Sequence, residues 1–393
     1  MVIQMRDIDG GICAVDGVKA WGVKQGKYGL ALIKAEGFAA GVFTRNSVIA
    51  APLIITREHL KNPRLTAVIA NSGGANSFTG KPGLEDAKEM ARLTAAKLGV
   101  DMTSIGVAST GVIGRRLDMD LIRSQFDEVV KGLDDSSQGS TAAAKAIMTT
   151  DTIPKEAAVE LSGGIHIGGI AKGSGMIAPD LGTMLVFLYT DAQLDAITLK
   201  DCLQSAVNKS FNMVVIDGDN STNDMVLITA TGQKGPVDLG EFEQGLDRVC
   251  ITLARLIAKD GEGATHLIEV RVTGAVNKKD AELAARSIVR SPLIKSAVFG
   301  RDPNWGRVIM AVGQSGAQVD QDRISLEFSN EKLTAKLVET GRVIESPVTE
   351  LIDIMGSDEI SINVDLNLGS GNATAWGCDL TYDYVRINAQ YTT

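Results

Sequence analysis

The sequence predicts a layered α/β protein built as two domains, and three observations predict it. Strand-like and helix-like stretches alternate in both halves of the chain, as they do in layered α/β architectures. A chain of 393 residues is long for one ordinary core. Hydrophobic residues make up 44% and charged residues 22%, close to an average globular protein, so a large core can be buried. Forty-two glycines against nine prolines point to tight turns and close backbone approaches rather than to disorder.

The elements follow in order. Residues 10–56 alternate β-branched residues with Gly and short polar breaks, as short strands and turns do. Leu65 to Ala70 reads as a buried strand ending in the turn-rich run Asn71 to Asn76. Leu84, Ala87, Met90, Ala91, Leu93 and Leu98 recur at helical spacing, with Glu85, Lys88, Glu89 and Arg92 on the solvated side. Ile105 to Ala108 is a short strand closed by Ser109-Thr-Gly111, and the Ser/Gly/Ala-rich stretch Asp134 to Ala146 can open a helix. Ile165 to Gly175 is dense in glycine, and Thr183 to Thr190 is a β-prone, mostly apolar strand. Helical spacing returns at Leu199 to Ser210 and Phe242 to Ala258, and strand patterns at Met225 to Ala230 and Leu267 to Thr273. Ala281 to Arg290 reads as a helix stopped by Pro292. Ile360 to Leu366 alternates as a strand does, and so does Ala373 to Ile387.

A net charge of −9 and a pI near 5.1 argue against a general nucleic-acid binder, which carries a basic patch or domain. The N-terminal run, with its acids and glycines, lacks a signal peptide's apolar stretch, and no segment is long and apolar enough to span a bilayer. A cytoplasmic protein is therefore expected. Cys13, Cys202, Cys250 and Cys378 are widely spaced without a CxxC pair, as buried thiols of a reducing compartment are. His59, His166 and His266 stand apart with no HExxH spacing, so no metal site is expected.

The segment from Gly168 to Val186 carries the chemistry. A phosphate cradle would open a helix after its glycines, whereas here Pro179 and a β-prone run follow. The second reading starts at Gly182-Thr183. A hydroxyl just after a permissive glycine can attack the preceding carbonyl, move the acyl group from N to O, and leave an ester that water opens. The new N-terminal amine, with a reference pKa of roughly 7.7–8.0, can then activate its own Thr183 hydroxyl. A Gly-Thr pair alone is most often an ordinary strand start.

The wider sequence changes that weighing. Ala171-Lys-Gly-Ser-Gly-Met-Ile-Ala-Pro179 running into Thr183-Met-Leu185 resembles the cleavage segment of the ornithine acetyltransferase family, glutamate N-acetyltransferases of the ArgJ type. In the family's order follow Asn71 to Gly80, Ser109 to Gly114, Met148-Thr-Thr-Asp-Thr152, Gly218-Asp-Asn-Ser-Thr-Asn-Asp224, Phe299 to Arg307, and Cys378 to Asn388. The resemblance spans nearly the whole chain. Two positions depart: Gly182 stands where the family usually has Ala, and Gly74-Ala-Asn-Ser-Phe78 where it often has Asn-Ala-Asn-Ala-Cys.

The resemblance implies an α-β-β-α sandwich-like fold (DmpA/ArgJ-like) with a second α/β domain. It implies scission between Gly182 and Thr183, giving an N-terminal chain 1–182 and a C-terminal chain 183–393. Thr183 matches the nucleophile that takes acetyl from N-acetylornithine and hands it to glutamate, in arginine synthesis. Thr110 and Gly111 match the oxyanion hole, whose loss of a donor typically costs about 10²–10³ in rate; read alone, they are a strand-ending turn. Thr150 (with Thr149 beside it an alternative), Lys172, Thr183, Glu262, Asn388 and Thr393 match substrate-binding positions. Glu262 would face the ornithine ammonium; Asn388 and Thr393 read alone as a frayed tail. Trp305 reads as a structural anchor rather than a stacking platform. The resemblance implies no cofactor, and a heterotetramer of two copies of each piece. Family members differ in accepting acetyl-CoA as a donor, and both alternatives stay open. A self-cleaving aminopeptidase or amidohydrolase, and a non-catalytic small-molecule binding protein, are the rival readings.

Overall fold

The structure is a computed structural model that describes residues 5–178, 184–345 and 348–390. The chain divides into two compact units. The first takes residues up to Gly173, then 184–208 and Asp219–Leu253; the second takes 174–178, Lys209–Gly218 and the chain from Ala254 onward. Each holds one sheet with helices, so the fold is mixed α/β with two sheets.

The first sheet uses β1 (Arg6–Asp7), β2 (Lys19–Gln25), β3 (Tyr28–Phe43), β4 (Arg64–Gly74), β5 (Ile105–Val112), β6 (Lys155–Glu160), β7 (His166–Lys172) and β8 (Leu185–Ala192). Strand β9 (Val214–Val215) belongs to the second sheet, and β10 (Met225–Gly235) returns to the first. Its order is β1-β6-β7-β8-β10-β3-β4-β5, with β2 paired to β3. The ladders β8–β10 and β4–β5 are parallel; the others are antiparallel. Strand β8, just after position 183, thus lies between β7, which precedes it, and β10.

Helices α1 (Ala51–His59), α2 (Gly80–Leu98), α3 (Met119–Gly132), α4 (Ser137–Ile147), α5 (Ala196–Lys209) and α6 (Leu239–Lys259) complete this part of the chain. Period-two alternation sends side chains to both sheet faces. Leu30 and Leu32 of β3, Ala67 and Ile69 of β4 and Val107 of β5 pack with Ala87, Met90 and Ala91 of α2 and Phe126 and Val129 of α3. Ala31 and Ile33, Val68 and Ala70, and Leu185, Phe187 and Tyr189 of β8 pack on the opposite face with Ala143 and Ile147 of α4. A sheet covered on both faces needs near-continuous apolar strands, and β8 is buried at every position.

The second sheet runs in the order β14-β13-β12-β15-β11-β16-β9, from β11 (Leu267–Ala275), β12 (Ser325–Ser329), β13 (Thr334–Glu339), β14 (Arg342–Val343), β15 (Glu359–Asp365) and β16 (Gly371–Cys378). Its helices are α7 (Lys278–Arg290), α8 (Pro292–Phe299), α9 (Gly306–Gly313), α10 (Val348–Met355) and α11 (Tyr382–Gln390). Asn277 caps α7 by accepting from the Asp280 N–H, a contact typically worth about 1 kcal/mol.

Several sequence expectations change. Asn71 to Gly74 is not a turn: it continues β4, paired in parallel with β5, and Ser109 to Val112 likewise continues β5. Residues 51–59 form a helix, started by Pro52 in its first turn. Pro292 does not only end α7; with Ser291 as cap it starts α8. The alternation expected to run to Ile387 stops at Cys378, and Tyr382 onward is helical. Trp305 is half-buried at the start of α9. Among the described residues no helix is long and apolar enough to cross a membrane. All four cysteines are free thiols.

Candidate active site

In the first unit, Thr110 and Gly111 lie near the end of β5, where the register against β4 slips around Gly73 and Gly74. Thr110 is buried. Gly111 has φ of +130°, and a Cβ there would lie 2.4 Å from the Gly73 carbonyl carbon and 2.6 Å from the Gly74 nitrogen. Both the left-handed backbone and the closeness of β4 therefore restrict this position to glycine.

Lys172 ends β7 and is 2% exposed, unlike a lysine in a solvated glycine loop. Its Nζ donates to Thr149 Oγ1 at 2.8 Å and to Thr110 Oγ1 at 3.5 Å. Thr149 thus lies in direct contact with Lys172, and Thr150, the sequence-based choice, is the next residue, half-buried like it. Behind these groups stands Asp151, whose side chain is fully buried. Asp151 Oδ1 accepts from Lys155 Nζ at 2.8 Å and from the Gly173 N–H at 2.6 Å. Its Oδ2 accepts from the Thr149 N–H at 2.9 Å and lies 3.8 Å from Lys172 Nζ. Burial opposes the Asp151 charge, but Lys172 and Lys155 outweigh it and hold the carboxyl well below the usual carboxylate range. Lys24 also feels this cluster; burial, more than these neighbours, lowers its ammonium pKa. Lys155 and Lys172 thus converge on the Asp151 carboxylate.

The run Ser221 to Asp224 braces the same strands. Asn223 Nδ2 donates to the carbonyls of Ala75 (2.6 Å) and Ser109 (2.9 Å), which joins the end of β4 to β5. Asp224 is fully buried, and its Oδ1 accepts from the Met184 N–H at 2.9 Å.

A second cluster lies in the second unit. The Glu262 N–H donates to the Ser174 carbonyl at 2.8 Å, and Asn388 Nδ2 donates to Glu262 Oε2 at 2.8 Å. Two sequence-predicted residues therefore meet directly. A Cβ at Gly175 would come within 2.4 Å of the Glu262 carboxyl carbon, so this glycine makes room for the acid. Asp217 accepts from the N–H groups of Met176 (2.6 Å) and Ile177 (2.8 Å), and Tyr384 OH donates to it at 3.3 Å. Met176 itself has φ of +57°, an unusual conformation for its residue type. Gly182, Thr183 and Thr393 lie outside the described residues.

Sequence reasoning missed Asp151, Lys155, Asn223 and Asp224 as members of these clusters. Asp151, Asn223 and Asp224 stood inside quoted motifs, but nothing local marks an acid as buried. The histidines also acquire partners. His59 Nδ1 lies 2.7 Å from the Ile105 carbonyl, and His266 Nδ1 lies 3.0 Å from Asp379 Oδ2. Asp16, His166 and Asp191 offer ligand atoms within 4.8 Å of one another, a grouping no sequence spacing revealed. The Lys234 ammonium, 3.0 Å from Asp16, already places a cation there.

The ArgJ family model matches residues 15–393. The chain belongs to the ArgJ family. Among relatives of this ArgJ chain, one from Methanosarcina mazei described as glutamate N-acetyltransferase is 59% identical, over 99% of this chain and 100% of its own length. One from Archaeoglobus fulgidus, described as arginine biosynthesis bifunctional protein ArgJ, is 46% identical over the full length of both. A crystal structure of arginine biosynthesis bifunctional protein ArgJ from Bacillus halodurans matches with TM-score 0.50 and 42% identity, covering 52% of this chain and 98% of that one.

Proposed function

We propose that this chain is a glutamate N-acetyltransferase, moving acetyl from N-acetylornithine to glutamate through an acetyl ester on Thr183. The observation that carries the reading is the buried Lys172 ammonium, 3.5 Å from the Thr110 hydroxyl, in a chain of this family. It places a cation beside the hydroxyl that the family resemblance assigns to the oxyanion hole.

The chain first cuts itself. The Thr183 hydroxyl attacks the Gly182 carbonyl carbon, its proton passes to the departing nitrogen, and water opens the resulting ester. The freed amine of Thr183 then takes the proton from the Thr183 oxygen as that oxygen attacks the acetyl carbon of the donor. Thr110 and the Gly111 N–H carry the negative charge that develops on the acetyl oxygen. The C–N bond breaks, the proton passes to the departing ornithine nitrogen, and the glutamate amine reverses the steps. Lys172, Thr149 and Thr150 answer the α-carboxylate common to both substrates, and Glu262, Asn388 and Thr393 are the other substrate contacts by resemblance. The Bacillus halodurans chain, equivalent to 52% of this one, has about the length that either product of scission would have. Assembly of two copies of each product in the cytoplasm completes the reading; four free thiols fit a reducing compartment.

The test is denaturing electrophoresis beside a transfer assay. Active protein should run as chains of 182 and 211 residues and convert N-acetylornithine plus glutamate into N-acetylglutamate. Thr183→Ala should run as one chain and transfer nothing. Free acetate in place of N-acetylglutamate would mark a hydrolase, and an active uncut chain would remove the mechanism.

A further inference from the structure

Asp224 is fully buried at the entry to β10. Its main-chain carbonyl accepts from the Thr44 N–H at 3.0 Å, which ties it to the end of β3. Its Oδ1 accepts from the Met184 N–H at 2.9 Å, and that nitrogen belongs to the peptide joining residues 183 and 184. Among the described residues its Oδ2 is buried with no hydrogen-bond partner. The Thr44 hydroxyl is close, but it donates to the Ser221 carbonyl at 2.8 Å and accepts from the Asn46 N–H at 3.1 Å. A buried polar atom left unsatisfied is rare and calls for a reason.

Burial raises the Asp224 carboxyl well above its ordinary range, against weaker opposing effects of the Met184 N–H, Thr44 and Lys172. Among the described residues Lys172 of β7 is the charged group that acts on it; residue 184 and the end of β3 present only the Met184 amide and the Thr44 hydroxyl. Burial thus favours the neutral form of a carboxyl that is hydrogen-bonded to the Met184 amide.

We propose that Asp224 is a positioning residue, anchoring the Met184 amide that follows the proposed nucleophile and so supporting scission and acyl transfer. The inference rests on the reading of Thr183 as nucleophile. A neutral Asp224 fits its closed site; an ionised one would leave Oδ2 charged and unsolvated, and would have to draw in water or shift. Activity should therefore rise as the Thr183 amine loses its proton and fall again at higher pH as Asp224 ionises.

The experiment compares Asp224→Asn, which copies the neutral acid, with Asp224→Ala, which removes the acceptor. Cut fraction, kcat, KM and the pH profile of kcat are read for each. Asp224→Asn should lose no more than about threefold in kcat and should lack the alkaline fall. Asp224→Ala should lose about 10²-fold in kcat, the scale of a misplaced reacting group, with KM little changed, and should cut itself more slowly. An alkaline fall that is absent in wild type, or equal in wild type and Asp224→Asn, overturns the inference, and so does wild-type kcat in Asp224→Ala. If Asp224→Ala fails to fold, the Asp224→Asn profile settles the matter alone. An uncut, inactive wild-type chain would sink the proposed function itself; a cut and active wild type with an unaltered Asp224→Asn profile sinks only this inference.

Discussion

Replacing Asp151 by Asn tests the buried charge cluster most directly. The substitution keeps the shape and removes the carboxylate that neutralises Lys155, fully buried, and Lys172, 2% exposed. It also sets donors against donors. Asp151 accepts from Lys155 and Gly173 on one oxygen and from Thr149 on the other, so the amide nitrogen of Asn must face an N–H whichever way it turns. Removing one partner of a buried ion pair destabilises by about 3–5 kcal/mol. At about 1.36 kcal/mol per tenfold, the folded fraction falls roughly 150- to 5,000-fold relative to the unfolded. With about 2–4 °C per kcal/mol for a domain of 150–250 residues, melting should fall by about 6–20 °C. The carboxyl is depressed in the fold, so its stabilisation is complete above the unfolded carboxyl pKa near 3.9 and fades as pH drops through the lower folded value. Calorimetry from pH 7 down to pH 3 should show a full gap between wild type and Asp151→Asn above about pH 5, narrowing below about pH 4. A variant melting within about 2 °C of wild type at pH 7 would refute the account of this cluster.

Other consequences can be checked alongside. The raised carboxyl of Asp224 has the opposite sign: the unfolded chain ionises it first, so its contribution to stability weakens as pH rises above about 4. Asp224→Asn should therefore gain melting temperature over wild type at pH 7 but not at pH 3, measured by calorimetry. Gly111→Ala should lower kcat/KM by about 10²–10³, because neither the +130° backbone nor the 2.4 Å gap to Gly73 admits a methyl group; an active alanine variant would show that β4 can yield. Burial pushes the Cys13 thiol up to about 12 and Cys202 up to about 11. At pH 8 a disulfide reagent should label the native chain slowly and all four thiols quickly after denaturation.

Legibility in the sequence followed the range of the causes. Helix α2 was readable because Ala87, Met90 and Ala91 recur on one helical face and meet the sheet there. Helix α1 was not, since its Leu-Ile-Ile-Thr run has strand chemistry, and Pro52 in the first turn with the packing of Leu53 and Ile55 overrides it. Asn71 to Gly74 carries turn residues, yet pairing with β5 keeps it in the sheet, with the left-handed backbone confined to Gly73. The site shows the same division. Lys172, Thr110, Glu262 and Asn388 came from motif resemblance, and the structure brings them into two pairs, Lys172 with Thr110 and Asn388 with Glu262. Asp151 and Asp224 owe their importance to partners as distant as Gly173 and Met184, which no local window contains.

The place of β8 in the first sheet has a mechanical consequence. A break between Ala178 and Met184 would leave β8 laced to β7 on one side and to β10 on the other, with Leu185, Phe187 and Tyr189 still locked in the interior. The severed pieces would remain one body, because parting them means unzipping the middle of a sheet rather than peeling off an edge. Such a protein can lose a covalent link and keep its architecture, spending the break on chemistry at the new end alone.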